Sequence, residues 1–204
     1  MAGNNAPPET TGYTGFFYGT LMAVPILFRV IYGTTSPEAW QVASLRVRPA
    51  MLHSYCRYKV RFVDYPAIIP ENGKQVQGTY VEGLTEGNIF RLDRFEGEDY
   101  SRKRVQVNVL ESNGEEGENV ETETYIWTAG EDRLEMEEWD FHKFVETKLA
   151  RWADSTIEYT EVDEADSLRA QSQKRAANTG ILEREHQLKE REKEVNAEEI
   201  RSAV

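Results

Sequence analysis

All 22 aromatic residues of this 204-residue chain lie before residue 160, and so do all seven prolines. A hydrophobic core can form only where large apolar side chains exist, so the folded part has to end near Tyr159. The last 44 residues hold 11 acids and 8 bases, no aromatic residue and few large aliphatics. Composition therefore predicts three parts: an unpacked, disordered N-terminus over 1–12, one globular domain over 13–160, and a charged helical or disordered tail over 161–204. Within the tail, Ile181, Leu188 and Val195 recur every seventh residue among strong helix formers. Two heptads are short for a coiled coil, which leaves two readings of 181–204: a solvated helix, or a helix for a protein partner or for self-association.

The core segment reads as mixed α+β. Gly15–Tyr18 is a short buried strand broken at Gly19, and Pro25 and Gly33 are placed to open and close a helix. Residues 45–63 predict one or two strands, followed by a turn-rich loop bracketed by 64–66 and 70–73 and then a strand over 76–81. Thr85 can cap a helix that turns Ile89, Leu92 and Phe95 inward and ends at a left-handed Gly97. Val105, Val107 and Val109 alternate with polar residues and mark a half-buried strand, with a partner at 122–127 across an acidic loop over 111–121. Phe141, Val145, Leu149 and Trp152 predict one final amphipathic helix packed on a twisted sheet that closes on itself.

The formal net charge of -12 repels phosphate backbones and anionic lipid surfaces, so nucleic acid and membranes are excluded as expected partners. No stretch approaches the roughly 20 apolar residues of a membrane span, and the first 15 residues carry an acid, Glu9, and no base. With a single cysteine, Cys56, the expectation is a cytoplasmic protein without disulfides.

Familiar catalytic signatures are missing: there is no HExxH, CxxC, GxSxG or GxxxxGK[ST]. The three histidines, His53, His142 and His186, fall in a strand, a helix and the tail, so no imidazole metal site is expected. Asp140 and His142 lie two apart on a helix and do not face one another. Two segments remain. In Tyr18-Gly19-Thr20-Leu21-Met22-Ala23, a glycine directly after a buried strand is either a structural bend or a way to aim successive backbone N–H groups at a small anion. In Leu92–Arg102, Glu96 sits at a helix C-terminus beside an apolar residue. Both neighbours raise a carboxyl pKa toward general-base strength, although four acids in this stretch also fit a solvated surface. Arg102 is placed to pair with Glu98, Asp99 or a substrate carboxylate.

Taken in order, Tyr18-Gly19-Thr20-Leu21, Tyr65-Pro66-Ala67-Ile68, Gly78, Leu92-Asp93-Arg94-Phe95-Glu96-Gly97, Tyr100 and Arg102 closely resemble the γ-glutamylcyclotransferase superfamily. With Glu138-Trp139-Asp140-Phe141, the chain resembles the avirulence-induced-gene-like branch from about Phe16 to about Trp152. Thr20-Leu21 follow that branch and the γ-glutamylamine enzymes, where other members carry serine-asparagine. The resemblance implies a small mixed β-barrel with packed helices and one cavity. It also implies Glu96 as catalytic base, the Tyr18–Ala23 loop as the anchor for the α-amino and α-carboxylate end of a small-molecule γ-glutamyl substrate, and 5-oxoproline as product. Tyr100 or the loop amides would stabilise the oxyanion, and neither metal nor cofactor is needed. The alternative is a non-catalytic module that senses a small metabolite and recruits a partner through its tail.

Overall fold

The computed structural model describes residues 12–172. Six strands form one sheet: β1 (Tyr13–Phe17), β2 (Arg46–Val60), β3 (Pro66–Leu84), β4 (Tyr100–Leu110), β5 (Glu116–Trp127) and β6 (Leu134–Glu138). Their order is β3-β1-β5-β4-β2-β6, and a further β2–β3 pairing closes the first five into a ring, with β6 added outside on β2. All pairings are antiparallel except β1 with β5. Closure removes the free edges of the ring strands, and the short β6 covers the stretch of β2 that runs past β4.

Inside the ring, Phe16, Tyr18, Leu52, Ile68, Val76, Val105 and Val107 make one cluster. Outside it, the helices build a second cluster around Phe17, Val81, Leu84 and Tyr125. β1 feeds both, because successive side chains Phe16 and Phe17 point to opposite faces. Helix α1 (Val24–Tyr32) carries Pro25 in its first turn and ends at Gly33 with φ of 74°. A five-residue helix, α2 (Ala39–Ala43), follows in the connection to β2. Helix α3 (Glu86–Glu96) opens with a capping box between Thr85 and Asn88. The Asn88 side-chain amide donates to the Ile31 carbonyl at 3.0 Å, satisfying an orphan carbonyl at the end of α1 and fixing the two helices together.

Residues 46–60 form a single strand, one of the two expected readings. Three expectations are corrected. The expected loop between 64–66 and 70–73 is strand from Pro66 on, and the turn residues 70–73 do not break β3: the register passes from His53 opposite Gln75 to Tyr55 opposite Pro70, so residues 71–74 bulge out of one continuous strand. The acidic loop is short, because β5 begins at Glu116; its carboxylates stand outward on the strand, with Arg104 facing Glu121 and Arg102 facing Glu123. Finally, the last amphipathic helix is two: α4 (Phe141–Thr147) and α5 (Leu149–Asp154). The Thr147 hydroxyl donates back to the Lys143 carbonyl at 2.6 Å, a contact that bends helices, and Lys148 leaves the helical region. The apolar residues expected on one face still share one core, with Phe144 and Trp152 buried.

A 3₁₀ turn at Ile157–Tyr159 leads into a helix over 160–172. Tyr159 and Val162 are both buried, and a compact unit ends at Val162. The sevenfold repeat at Ile181, Leu188 and Val195, and nearly all of the 1–12 stretch, lie outside the described residues. No helix among the described residues is long and apolar enough to cross a membrane.

Tyr159 stacks on Phe95 at 5.9 Å and lies under the Arg29 guanidinium, but its hydroxyl has no hydrogen-bond partner among the described residues. A buried orphan hydroxyl costs free energy that phenylalanine does not. Tyr159→Phe is therefore expected to keep the fold and raise stability by about 1 kcal/mol, read as a higher midpoint in urea at unchanged slope.

Candidate active site

One cavity of about 900 Å³ opens where the end of β1, the start of β3, the C-terminal half of α3 and the 157–162 segment meet. Tyr18, Gly19, Thr20, Leu21, Glu96 and Tyr100 all line it. Two members of the expected anchor do not: Ala23 is packed in the helix-side core, and Met22 lies with its sulfur 3.9 Å from the Arg57 guanidinium.

The anchor loop leaves the ring because Gly19 lies against Pro66. A Cβ at Gly19 would sit 2.8 Å from the proline ring, a separation that real Cβ atoms do not show. After Gly19 the chain makes one 3₁₀ turn, Thr20–Met22, closed by the Met22 amide donating to the Gly19 carbonyl. The N–H groups of Gly19, Thr20 and Leu21 find no acceptor among the described residues. Three successive free amides on a cavity wall suit a carboxylate or an oxyanion.

Glu96 is the last residue of α3. Gly97 follows with φ of 68° and ψ of -160°, which corrects the expected left-handed helical cap to an extended conformation open only to glycine. That turn ends the helix abruptly at Glu96. The carboxyl keeps a little surface open to the cavity but is otherwise enclosed by protein, and no hydrogen bond or ion pair with a described residue holds it. Burial, and secondarily the negative charge of Asp93 one turn earlier, push its pKa up to about 8. Asp93 itself is held by Arg102, whose Nε donates at 2.9 Å, and by the Tyr125 hydroxyl at 2.8 Å. Arg102 also meets Glu123, so it pairs with neither Glu98 nor Asp99; Asp99 takes the Arg133 guanidinium instead.

The tyrosines are committed elsewhere. Tyr18 donates its hydroxyl proton to the Tyr125 carbonyl at 2.6 Å, and Tyr100 donates to the Pro66 carbonyl at 2.9 Å. Burial pushes both phenols well above their usual pKa, so neither ionises near neutrality. Reading the sequence did not find Arg57, which donates to the Tyr18 carbonyl at 2.8 Å from near the end of β2, or the 157–162 wall. Neither had a local signal: Arg57 alternates with the buried Tyr58 and Val60 as an ordinary polar residue would, and the 157–162 segment follows the motifs.

A closed mixed ring with flanking helices is the architecture of a small α+β protein, and its cavity brings Glu96 and the free loop amides into one lining. Residues 15–141 match the family described as "Gamma-glutamyl cyclotransferase, AIG2-like". Two Arabidopsis thaliana proteins are similar: Protein AIG2 C, 32% identical over 67% of this chain and 81% of its own, and AIG2-like protein D, 30% identical over 74% and 91%. The solution structure of an Arabidopsis thaliana protein is 27% identical with a TM-score of 0.50, covering 74% of this chain and 84% of the other. The chain belongs to the AIG2-like γ-glutamyl cyclotransferase family.

Proposed function

We propose that the protein cyclises the γ-glutamyl group of a small molecule to 5-oxoproline, releasing an amine or amino acid, with Glu96 as the base. The observation that carries this reading is Glu96 itself: a carboxyl without a partner among the described residues, its pKa pushed up to about 8, in the cavity lined by Gly19, Thr20 and Leu21. A structural carboxylate would be paired; this one is left for a ligand.

The chemistry follows from charge. A γ-glutamyl substrate carries an α-carboxylate and an α-ammonium, and an ammonium has no lone pair to attack with. The carboxylate fits the free loop amides, which brings the ammonium toward Glu96. Glu96 takes one proton; the freed nitrogen attacks the γ-carbonyl carbon, forming the ring C–N bond and a tetrahedral oxyanion. Glu96 then hands its proton to the leaving nitrogen as the old C–N bond breaks. The ring nitrogen gives up its second excess proton by the same route, so two protons leave the α-nitrogen and two reach the departing amine. Because Tyr100 has its hydroxyl proton on Pro66, the loop amides that the α-carboxylate leaves free are the donors for the oxyanion. The rate gain comes from holding two parts of one molecule in a ring-closing conformer.

The pH dependence tests it. The productive encounter needs Glu96 ionised and the substrate ammonium protonated. On the free enzyme kcat/KM should therefore rise with pH up to about 8 and fall again as the substrate amine loses its proton. An acid limb with a midpoint near 4.5, the ordinary carboxyl value, would mean that a group other than this buried carboxyl sets the rate.

A further inference from the structure

Arg57 stands three residues before the end of β2, and its guanidinium reaches the loop that the cavity depends on. Nη1 donates to the Tyr18 carbonyl at 2.8 Å and to the Gln77 carbonyl on β3 at 3.3 Å, while Nη2 faces Glu138 at 3.5 Å and the plane lies 5.6 Å from the Trp139 ring. Only 11% of the side chain is exposed, and its Nε has no acceptor among the described residues. Burying a cation with an unsatisfied donor is unfavourable for stability. The arrangement is explained by what it does to the next peptide. In a trans peptide the carbonyl and the following N–H point in opposite directions, so fixing the Tyr18 carbonyl on Arg57 fixes the Gly19 N–H away from it. That N–H belongs to a cavity-lining residue and has no acceptor among the described residues. The positive charge behind the carbonyl also polarises the peptide and makes its N–H a stronger donor.

We propose that Arg57 is a positioning residue for substrate binding: held to Tyr18, Gln77 and Glu138, it aims and strengthens the Gly19 amide that receives the substrate's α-carboxylate. This rests on the cyclotransferase reading. It makes the guanidinium a determinant of carboxylate recognition although it contacts no substrate.

The test compares wild type with Arg57→Lys on two substrates, a γ-glutamyl amide and its analogue bearing a carboxamide in place of the α-carboxylate. The preference for the carboxylate substrate, as a ratio of kcat/KM values, does not depend on how much of either protein is folded. It should fall roughly tenfold in the variant, mainly through a higher KM for the carboxylate substrate. An unchanged ratio, with both substrates losing equally, would show a merely structural arginine and overturn the proposal while leaving the cyclotransferase reading intact. Should wild type release no 5-oxoproline from either compound, the cyclotransferase reading fails, and calorimetric titration with the same two compounds decides. A tenfold loss of discrimination in the variant's Kd ratio supports Arg57's role; an equal ratio, or no binding by wild type, overturns it.

Discussion

Glu96→Gln is expected to abolish 5-oxoproline release, lowering kcat by about 10³-fold or more, while making the protein more stable above pH 8. The two effects have one origin. Glutamine keeps the shape of the side chain but cannot accept the ammonium proton, and general-base removal typically costs about 10²–10⁴ in rate. For stability the sign is fixed by the direction of the pKa shift. Folding raises the Glu96 pKa from its ordinary 4.5 to about 8, so its contribution is fully present below pH 4.5 and is lost as pH rises through about 8. An uncharged glutamine has no such loss. Between pH 4.5 and about 8 the wild type should weaken relative to the variant, by at most roughly 5 kcal/mol if the whole shift were expressed, and by less as water in the cavity screens the charge. Thermal midpoints measured from pH 5 to pH 9 check this: the variant's advantage should be small at pH 5 and reach several degrees at pH 9. An inactive variant with a wild-type stability profile would place the carboxyl in solvent and remove the basis for its raised pKa.

Gly78→Ala is expected to be strongly damaging although Gly78 lies outside the site. Gly78 adjoins Thr79, the β3 residue paired with Phe17 at the end of β1. A Cβ there would overlap the Phe17 carbonyl and sit 2.6 Å from the Phe16 ring, which is fully buried. Neither can yield cheaply, since one is backbone and the other is core. The cost should be roughly 3 kcal/mol, lowering the thermal midpoint by about 6–12 °C. The effect should carry into the site, because Phe16 and Phe17 lead directly into Tyr18 and Gly19. Gly73→Ala is the control: it has positive φ but no heavy atom within 4 Å of the new methyl, so only about 1 kcal/mol of backbone strain is at stake. If both variants unfold at the same temperature, the close approach of β1 to β3 is not what Gly78 serves.

Much of this arrangement could be read from the chain because the relevant signals are local. The Thr85 cap, the alternation of Val105, Val107 and Val109, and the Gly33 stop depend on neighbours within a few residues, and each element stands where its signal placed it. Prolines and glycines were harder. The signal at 70–73 marks a real irregularity, but a partner strand runs alongside and turns it into a bulge, which pairing rather than propensity decides. The Lys148 break had the same character, since the apolar spacing from Phe141 to Trp152 satisfies one helix as well as two. At the site, Glu96 was legible from its place at a helix end. Arg102's true partners, Asp93 and Glu123, were not, because a cross-strand pairing between β4 and β5 brings Glu123 to it. Arg57 was illegible for the same reason: its contacts come from the loop after β1, from β3 and from the end of β6.

The central claim is an intramolecular attack by the substrate's own nitrogen, and the most direct test is to run the wild type on a panel of γ-glutamyl amines, dipeptides and glutathione in ¹⁸O-labelled water. Products are then read by mass spectrometry. Ring closure uses no water oxygen, so the account predicts unlabelled 5-oxoproline together with the free amine from at least one member of the panel. Glutamate carrying ¹⁸O would show hydrolysis instead, and it, or the absence of product from every compound, would contradict the account.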